Sequence, residues 1–164
     1  VVGRDVQRNS ICVIACGNPL MGNDGAGLEV MRLLEEHGCP GIDLIEGGAG
    51  GLGLLPLMEG YEKVVIVDAM AGIADRVGEV RVFETPPRMQ PTACALHEIG
   101  VGDAVALARE LGYRSAIVTV GIEVGVITSF CREIDPPVEQ GIREAYDCIT
   151  NMVRKWVGQA NNPE

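Results

Sequence analysis

Ile11-Cys12-Val13-Ile14-Ala15-Cys16-Gly17-Asn18-Pro19-Leu20-Met21-Gly22-Asn23-Asp24-Gly25-Ala26-Gly27 is the stretch on which the fold turns. Its opening run, Ile11 to Cys16, is apolar without a break, as a strand buried on both faces requires. Gly17-Asn18-Pro19 then ends the strand, because Gly and Asn accept left-handed backbone and Pro sets a turn. A second glycine-rich turn, Gly22 to Gly27, leads into an amphipathic helix expected over residues 26–37. Leu28, Met31 and Leu34 fall at helical spacing there, and Gly38 stops the helix. The order is strand, loop, helix, with one carboxylate, Asp24, where strand gives way to helix. Open α/β sheets bind ligands at that edge.

Outward from this unit the pattern repeats. Residues 41–46 read as a second strand, 47–53 as a glycine-rich turn and 54–58 as a short helix. Lys63-Val64-Val65-Ile66-Val67-Asp68 is the clearest strand of the chain, apolar on both faces and closed by an acid. Residues 78–83 alternate polar and apolar, which fits an antiparallel edge strand with one wet face. A proline-containing loop from Glu84 to Leu96 delivers His97 to a helix expected over 99–111. A strand over 115–122 and a long helix over 138–157 complete the series, with Ile142, Tyr146, Ile149, Val153 and Trp156 on one helix face. This alternation predicts a three-layer α/β/α fold with a mostly parallel sheet of about five strands and one antiparallel edge strand. It is expected to form a single domain over residues 1–164, frayed at 1–10 and 159–164. The strand order is not readable.

Composition narrows the function. A net charge of −10 argues against nucleic acid, whose binders present a basic face. It suits a cationic or metal-bearing partner, and it equally suits plain solubility. Aromatic residues make up only 4% of the chain, so aliphatic side chains must fill the core. Cys12, Cys16, Cys39, Cys94, Cys131 and Cys148 form no C-x-x-C pair, and Cys12 and Cys16 share one strand face as small core residues. Reduced thiols and a cytoplasmic setting are expected. No apolar run of membrane-spanning length or signal peptide is visible, so membrane insertion is not expected.

Asp24, Asp68 and His97 are the candidate site. With a parallel sheet and right-handed crossovers, both acids reach the carboxyl edge, and His97 precedes a helix that starts there. Two carboxylates and an imidazole suit a borderline divalent ion such as nickel or zinc, with positions left for water or a substrate group. Each residue also has an ordinary reading: Asp24 as a turn or capping residue, Asp68 as an acceptor for loop amides, His97 as a helix cap.

Gly48-Ala49-Gly50-Gly51-Leu52-Gly53 offers a competing motif, a G-x-G-x-x-G after a strand with Asp68 on the next strand. The helix that follows is short and meets Pro56 almost at once, and this reading leaves Gly17 to Gly27 unexplained. Nucleophilic hydrolase readings have less support: no G-x-S-x-G occurs, and Cys94, three residues before His97, has no supporting context.

The chain resembles the hydrogenase maturation proteases, endopeptidases that trim the C-terminal tail of [NiFe]-hydrogenase large-subunit precursors. The resemblance spans Ile11 to Trp156 and rests on four motifs in order. These are G-N-P-L-M-G-N-D-G-A-G (Gly17 to Gly27), E-G-G-A-G (Glu46 to Gly50), V-I-V-D-A (Val65 to Ala69) and L-H-E-I-G-V-G-D (Leu96 to Asp103). By motif position the family's metal-contacting residues fall on Asp24, Asp68 and His97. Two departures stand out: Asn23-Asp24 replaces a common Asp-Asp, and Glu46 stands where Asp is common.

The resemblance implies an enzyme with no permanent cofactor. Nickel arrives inside the precursor, and Asp24, Asp68 and His97 complete its coordination; zinc or cadmium could occupy the same ligands. Gly47, Gly48 and Gly50 would let backbone amides approach the substrate peptide closely. The implied partner is the C-terminal region of the precursor, and the implied state is a monomer. The alternatives are a dinucleotide-binding oxidoreductase domain and a non-catalytic partner that binds the nickel-loaded precursor without shortening it.

Overall fold

The computed structural model describes residues 9–88, 100–127 and 130–160. Five strands form one sheet: β1 (Ile11–Cys16), β2 (Asp43–Gly48), β3 (Lys63–Met70), β4 (Val80–Phe83) and β5 (Ala116–Glu123). Four helices flank it: α1 (Ala26–His37), α2 (Leu54–Met58), α3 (Val101–Glu110) and α4 (Pro136–Ala160). The strand order is β2-β1-β3-β5-β4. β2, β1, β3 and β5 run parallel, and β4 closes one edge antiparallel to β5. The α/β class and the antiparallel edge are those expected from the sequence.

The period of the strands divides the core in two. Val13 and Ala15 of β1, and Val65, Val67 and Ala69 of β3, face a cluster that holds Val30 and Leu34 of α1 and Ile142, Ile149 and Val153 of α4. Their neighbours Cys12, Ile14, Cys16, Val64 and Ile66 face Leu54 and Met58 of α2 and Ala104 and Val105 of α3. Each strand residue points opposite to the next, so an apolar run is needed wherever both faces are covered. Every residue of β1 is buried. At about 1.5–3 kcal/mol for each large side chain taken out of water, these two layers hold the sheet between its helices.

Several boundaries differ from the expected ones by one to three residues. β2 runs two residues later than expected, to Gly48. β3 continues past Asp68, because Ala69 and Met70 still pair with Ile122 and Glu123 of β5. For the same reason β5 reaches Glu123. α4 begins at Pro136, since a helix's first turn needs no N–H from Pro and the Asp135 carbonyl accepts the N–H groups of both Val138 and Glu139. Ile99, expected to start the third helix, lies outside the described residues, as does His97.

The strand order explains why β1 and β3 matter. From β1 the chain moves outward to β2, with α1 on one face of the sheet. It then returns to β3 on the other side of β1, with α2 on the opposite face. The connections therefore diverge between β1 and β3, and a crevice opens at their carboxyl ends. Among the described residues no helix is long and apolar enough to cross a membrane.

Candidate active site at the divergence of the first and third strands

Two glycines bring the helix onto the strands. A Cβ at Gly27, in the first turn of α1, would lie 2.3 Å from the carbonyl oxygen of Cys16 and 2.8 Å from that of Val67. Only glycine lets the helix meet β1 and β3 this closely. Gly17, at φ 131°, allows the chain to fold back so that the Asp24 carbonyl lies where a Cβ would be. The intervening residues Gly22–Gly25 form a 3-10 turn. It sets Asp24 over the crevice.

Asp24 is held there. Its Oδ2 accepts the Asn18 backbone N–H at 2.8 Å, and the Asn18 side chain in turn accepts the Leu20 N–H at 2.9 Å. The neighbouring Asn23 is buried and reaches away from the crevice. Its side-chain amide donates to Asp135 Oδ2 at 2.8 Å, and its Oδ1 accepts the Asp135 backbone N–H at 2.9 Å. This reciprocal pair ties the turn to the start of α4. An acid at position 23 would face Asp135 with like charge, so the Asn-Asp order belongs with Asp135 in this chain.

Asp24 and Asp68 line one cleft of about 580 Å³. Gly17, Asn18, Met21, Gly50, Leu52 and Ile127 share its walls. Asp68 is half-buried. Burial, and then the charge of Asp24, push its pKa from the usual value of 3.8 up to about 7, while the Ala69 N–H pulls the other way. A carboxyl group in that range exchanges its proton near neutral pH, and it gives that proton up when a cation arrives. Cys16, at the end of β1, is no nucleophile: burial raises its thiol pKa far above the usual value, and the charges of Asp68 and Asp24 add to the effect.

Of the residues singled out in the sequence, Asp24, Asp68 and Gly50 meet in this cleft. Gly48 accepts the Gly17 N–H at 2.8 Å and lines a neighbouring groove with Glu46 and Glu29. Gly47 faces inward, where a Cβ would come within 2.8 Å of Ile14 and 2.9 Å of Leu54. Among the described residues no three His, Cys, Asp or Glu side chains form a metal-binding group. The crevice carboxylates are a pair there, and their expected third partner, His97, lies outside those residues. A pair of oxygen donors fits a divalent ion that brings ligands of its own.

The glycine motif at Gly48 to Gly53 has no dinucleotide geometry. It follows edge strand β2, Asp68 stands two strands away across β1, and α2 has only five residues.

Sequence reasoning missed Glu123. Its carboxylate, 3% exposed, accepts the backbone N–H groups of Gly72, Ile73, Ala74 and Gly125 at 2.7–3.1 Å. It therefore gathers the segments that leave β3 and β5 beside the crevice. The available signal was an acid at the end of an apolar strand, the same signal that marked Asp68.

A family model described as hydrogenase maturation protease (HycI) matches residues 28–152. Asp68 and His97 lie within the match, and Asp24 lies just before it. Over 151 residues the chain is 28% identical to the hydrogenase expression/formation protein HupD of Rhodobacter capsulatus, covering 89% of this chain and 72% of that one. It is 23% identical to the hydrogenase 2 maturation protease of Escherichia coli, over 79% of this chain and 87% of that one. Among solved structures, the hydrogenase maturating endopeptidase HybD from E. coli shares the fold at a TM-score of 0.69 and 20% identity, covering 88% and 92% of the two chains. The [NiFe] hydrogenase maturation protease HybD from Thermococcus kodakarensis gives a TM-score of 0.63 at 27% identity, covering 87% and 98%.

Proposed function

Since this chain belongs to the hydrogenase maturation protease family, we propose that it is the endopeptidase that removes the C-terminal extension of a [NiFe]-hydrogenase large-subunit precursor once nickel is in place. The observation that carries this reading is the carboxylate pair Asp24 and Asp68, coupled across an open cleft at the carboxyl ends of β1 and β3.

The nickel is part of the substrate. Asp24 and Asp68, with His97, are the residues that would meet it. Asp68, titrating near 7 in the free protein, loses its proton as the dication approaches, so docking of a loaded precursor releases a proton. A precursor without the metal offers two adjacent acids no compensating charge, and the cleft discriminates against it. Hydrolysis places the oxygen of water on the scissile carbonyl carbon; the C–N bond breaks and the departing amine takes a proton. The cleft is open to solvent along its mouth, as peptide chemistry requires. The alternative of a partner that binds without cutting shares this recognition and differs only in the product.

Asp68→Asn tests the assignment. The amide keeps the shape of the side chain and removes its charge, so the fold is retained while processing falls at least 100-fold, read as the intact mass of a cognate loaded precursor. Processing at the wild-type rate would remove Asp68 from the site.

A further inference from the structure

Eight large hydrophobic side chains are strongly exposed among the described residues, and five of them stand on the loops that frame the cleft. Leu20 follows β1, Leu52 follows β2, and Val126, Ile127 and Phe130 follow β5. Leu52 and Ile127 line the cleft itself, on walls that come from different strands. Met21 pairs with Cys131 in an isolated parallel bridge, and the Gly22 N–H donates to the Cys131 carbonyl at 2.6 Å. That bridge joins the loop that carries Leu20 to the segment that carries Phe130.

Phe130 is the most telling member. It is 97% exposed, and it holds φ at 57°, the left-handed region that a bulky residue rarely adopts. Within the chain this geometry has an unfavourable backbone and buries nothing. Strain that persists at an exposed aromatic beside a cleft points to a contact made with another molecule.

We propose that Leu20, Leu52, Val126, Ile127 and Phe130 form an apolar collar that docks an extended polypeptide segment, the stretch of precursor on either side of the bond that is cut. The inference rests on the protease reading and specifies its substrate. That segment carries large aliphatic or aromatic side chains within a few residues of the cleavage point. The cleft is complementary to this occupant, with an acidic floor at Asp24 and Asp68 for a cationic or metal-bearing centre and apolar walls at Leu52 and Ile127 for what flanks it. A chain threading the cleft touches both walls at once, which a ligand held by the floor alone does not.

The test uses the full chain, the untrimmed precursor and the same precursor already lacking its extension. Phe130→Gly and Leu20→Ser are each expected to raise KM for the untrimmed precursor about tenfold and leave kcat within twofold. Direct binding to it should weaken by a similar factor. Phe130→Gly should also melt no lower than the wild type, because glycine accepts the backbone angle. Val82→Ser and Leu111→Ser, at exposed apolar positions away from the cleft, should change neither KM nor binding. Unchanged KM and binding in the collar variants would overturn the proposal, as would equal losses in the Val82 and Leu111 controls. A wild-type dimer in sedimentation that Phe130→Gly turns into a monomer would overturn it too, since a second copy would then cover the collar. Binding of the untrimmed precursor that the collar variants weaken, with no cleavage by the wild type, would sink the protease reading and keep the collar as the docking surface. Cleavage that ignores the collar would do the reverse.

Discussion

Asp68 and Glu123 stand on adjacent strands near the same edge of the sheet, and their surroundings treat them in opposite ways. Burial acts to raise both carboxyl groups. At Glu123 the N–H groups of Gly125, Ala74, Gly72 and Ile73 outweigh it, and the group titrates below the ordinary glutamate value. At Asp68 the Ala69 N–H opposes burial and the charge of Asp24 without overcoming them, and the group titrates near 7. Glu123 therefore uses its charge to hold loops in place, whereas the Asp68 carboxyl faces the cleft with one backbone N–H set against burial and the charge of Asp24. A charged residue at the end of a buried strand is ambiguous until its hydrogen-bond donors are counted.

The largest effect that separates the two comes from Glu123→Ala. It leaves four backbone N–H groups beside the crevice without their acceptor and should lower stability by about 3 kcal/mol or more, measured by urea unfolding. Asp68→Asn should not destabilise at neutral pH. Equal losses from both substitutions would erase the distinction.

A smaller effect is the pH dependence of stability. For Asp68 the folded pKa, about 7, lies above the usual 3.8, so the folded state holds the proton more tightly. Its contribution is fully present below about pH 3.8, is lost as pH rises through about 7, and is constant beyond. The limiting slope is about 1.4 kcal/mol per pH unit. For Glu123 the sign is reversed: its contribution is present above the usual 4.5 and is lost as pH falls through its lower folded value. The melting temperature of the wild type should thus decline between pH 5 and 7.5, and Asp68→Asn should abolish that part of the decline. An identical decline in the variant would mean that Asp68 titrates normally.

Much of this was legible in the sequence, for physical reasons. β1 and the Val64–Val67 run of β3 are buried on both faces and so are apolar without a break, which marks them and the acids that follow them. The glycines at 17 and 27 sit where backbone meets backbone, and no other residue type would fit. The strand order was hidden because it depends on which face each helix covers. Glu123 was hidden because its partners are backbone groups, which carry no residue identity, and because the strand extends one residue beyond its expected end. The collar was hidden because exposed hydrophobics on separate loops have no period; the shared cleft and the Met21–Cys131 bridge bring those loops together.

The most direct test of the account is the intact mass of a cognate large-subunit precursor incubated with this protein, with the nickel site filled or empty. The carboxylate pair at the crevice predicts loss of a C-terminal peptide from the loaded precursor and none from the empty one. Trimming of both forms alike would contradict the claim that Asp24 and Asp68 read the metal, and trimming of neither would contradict the protease itself.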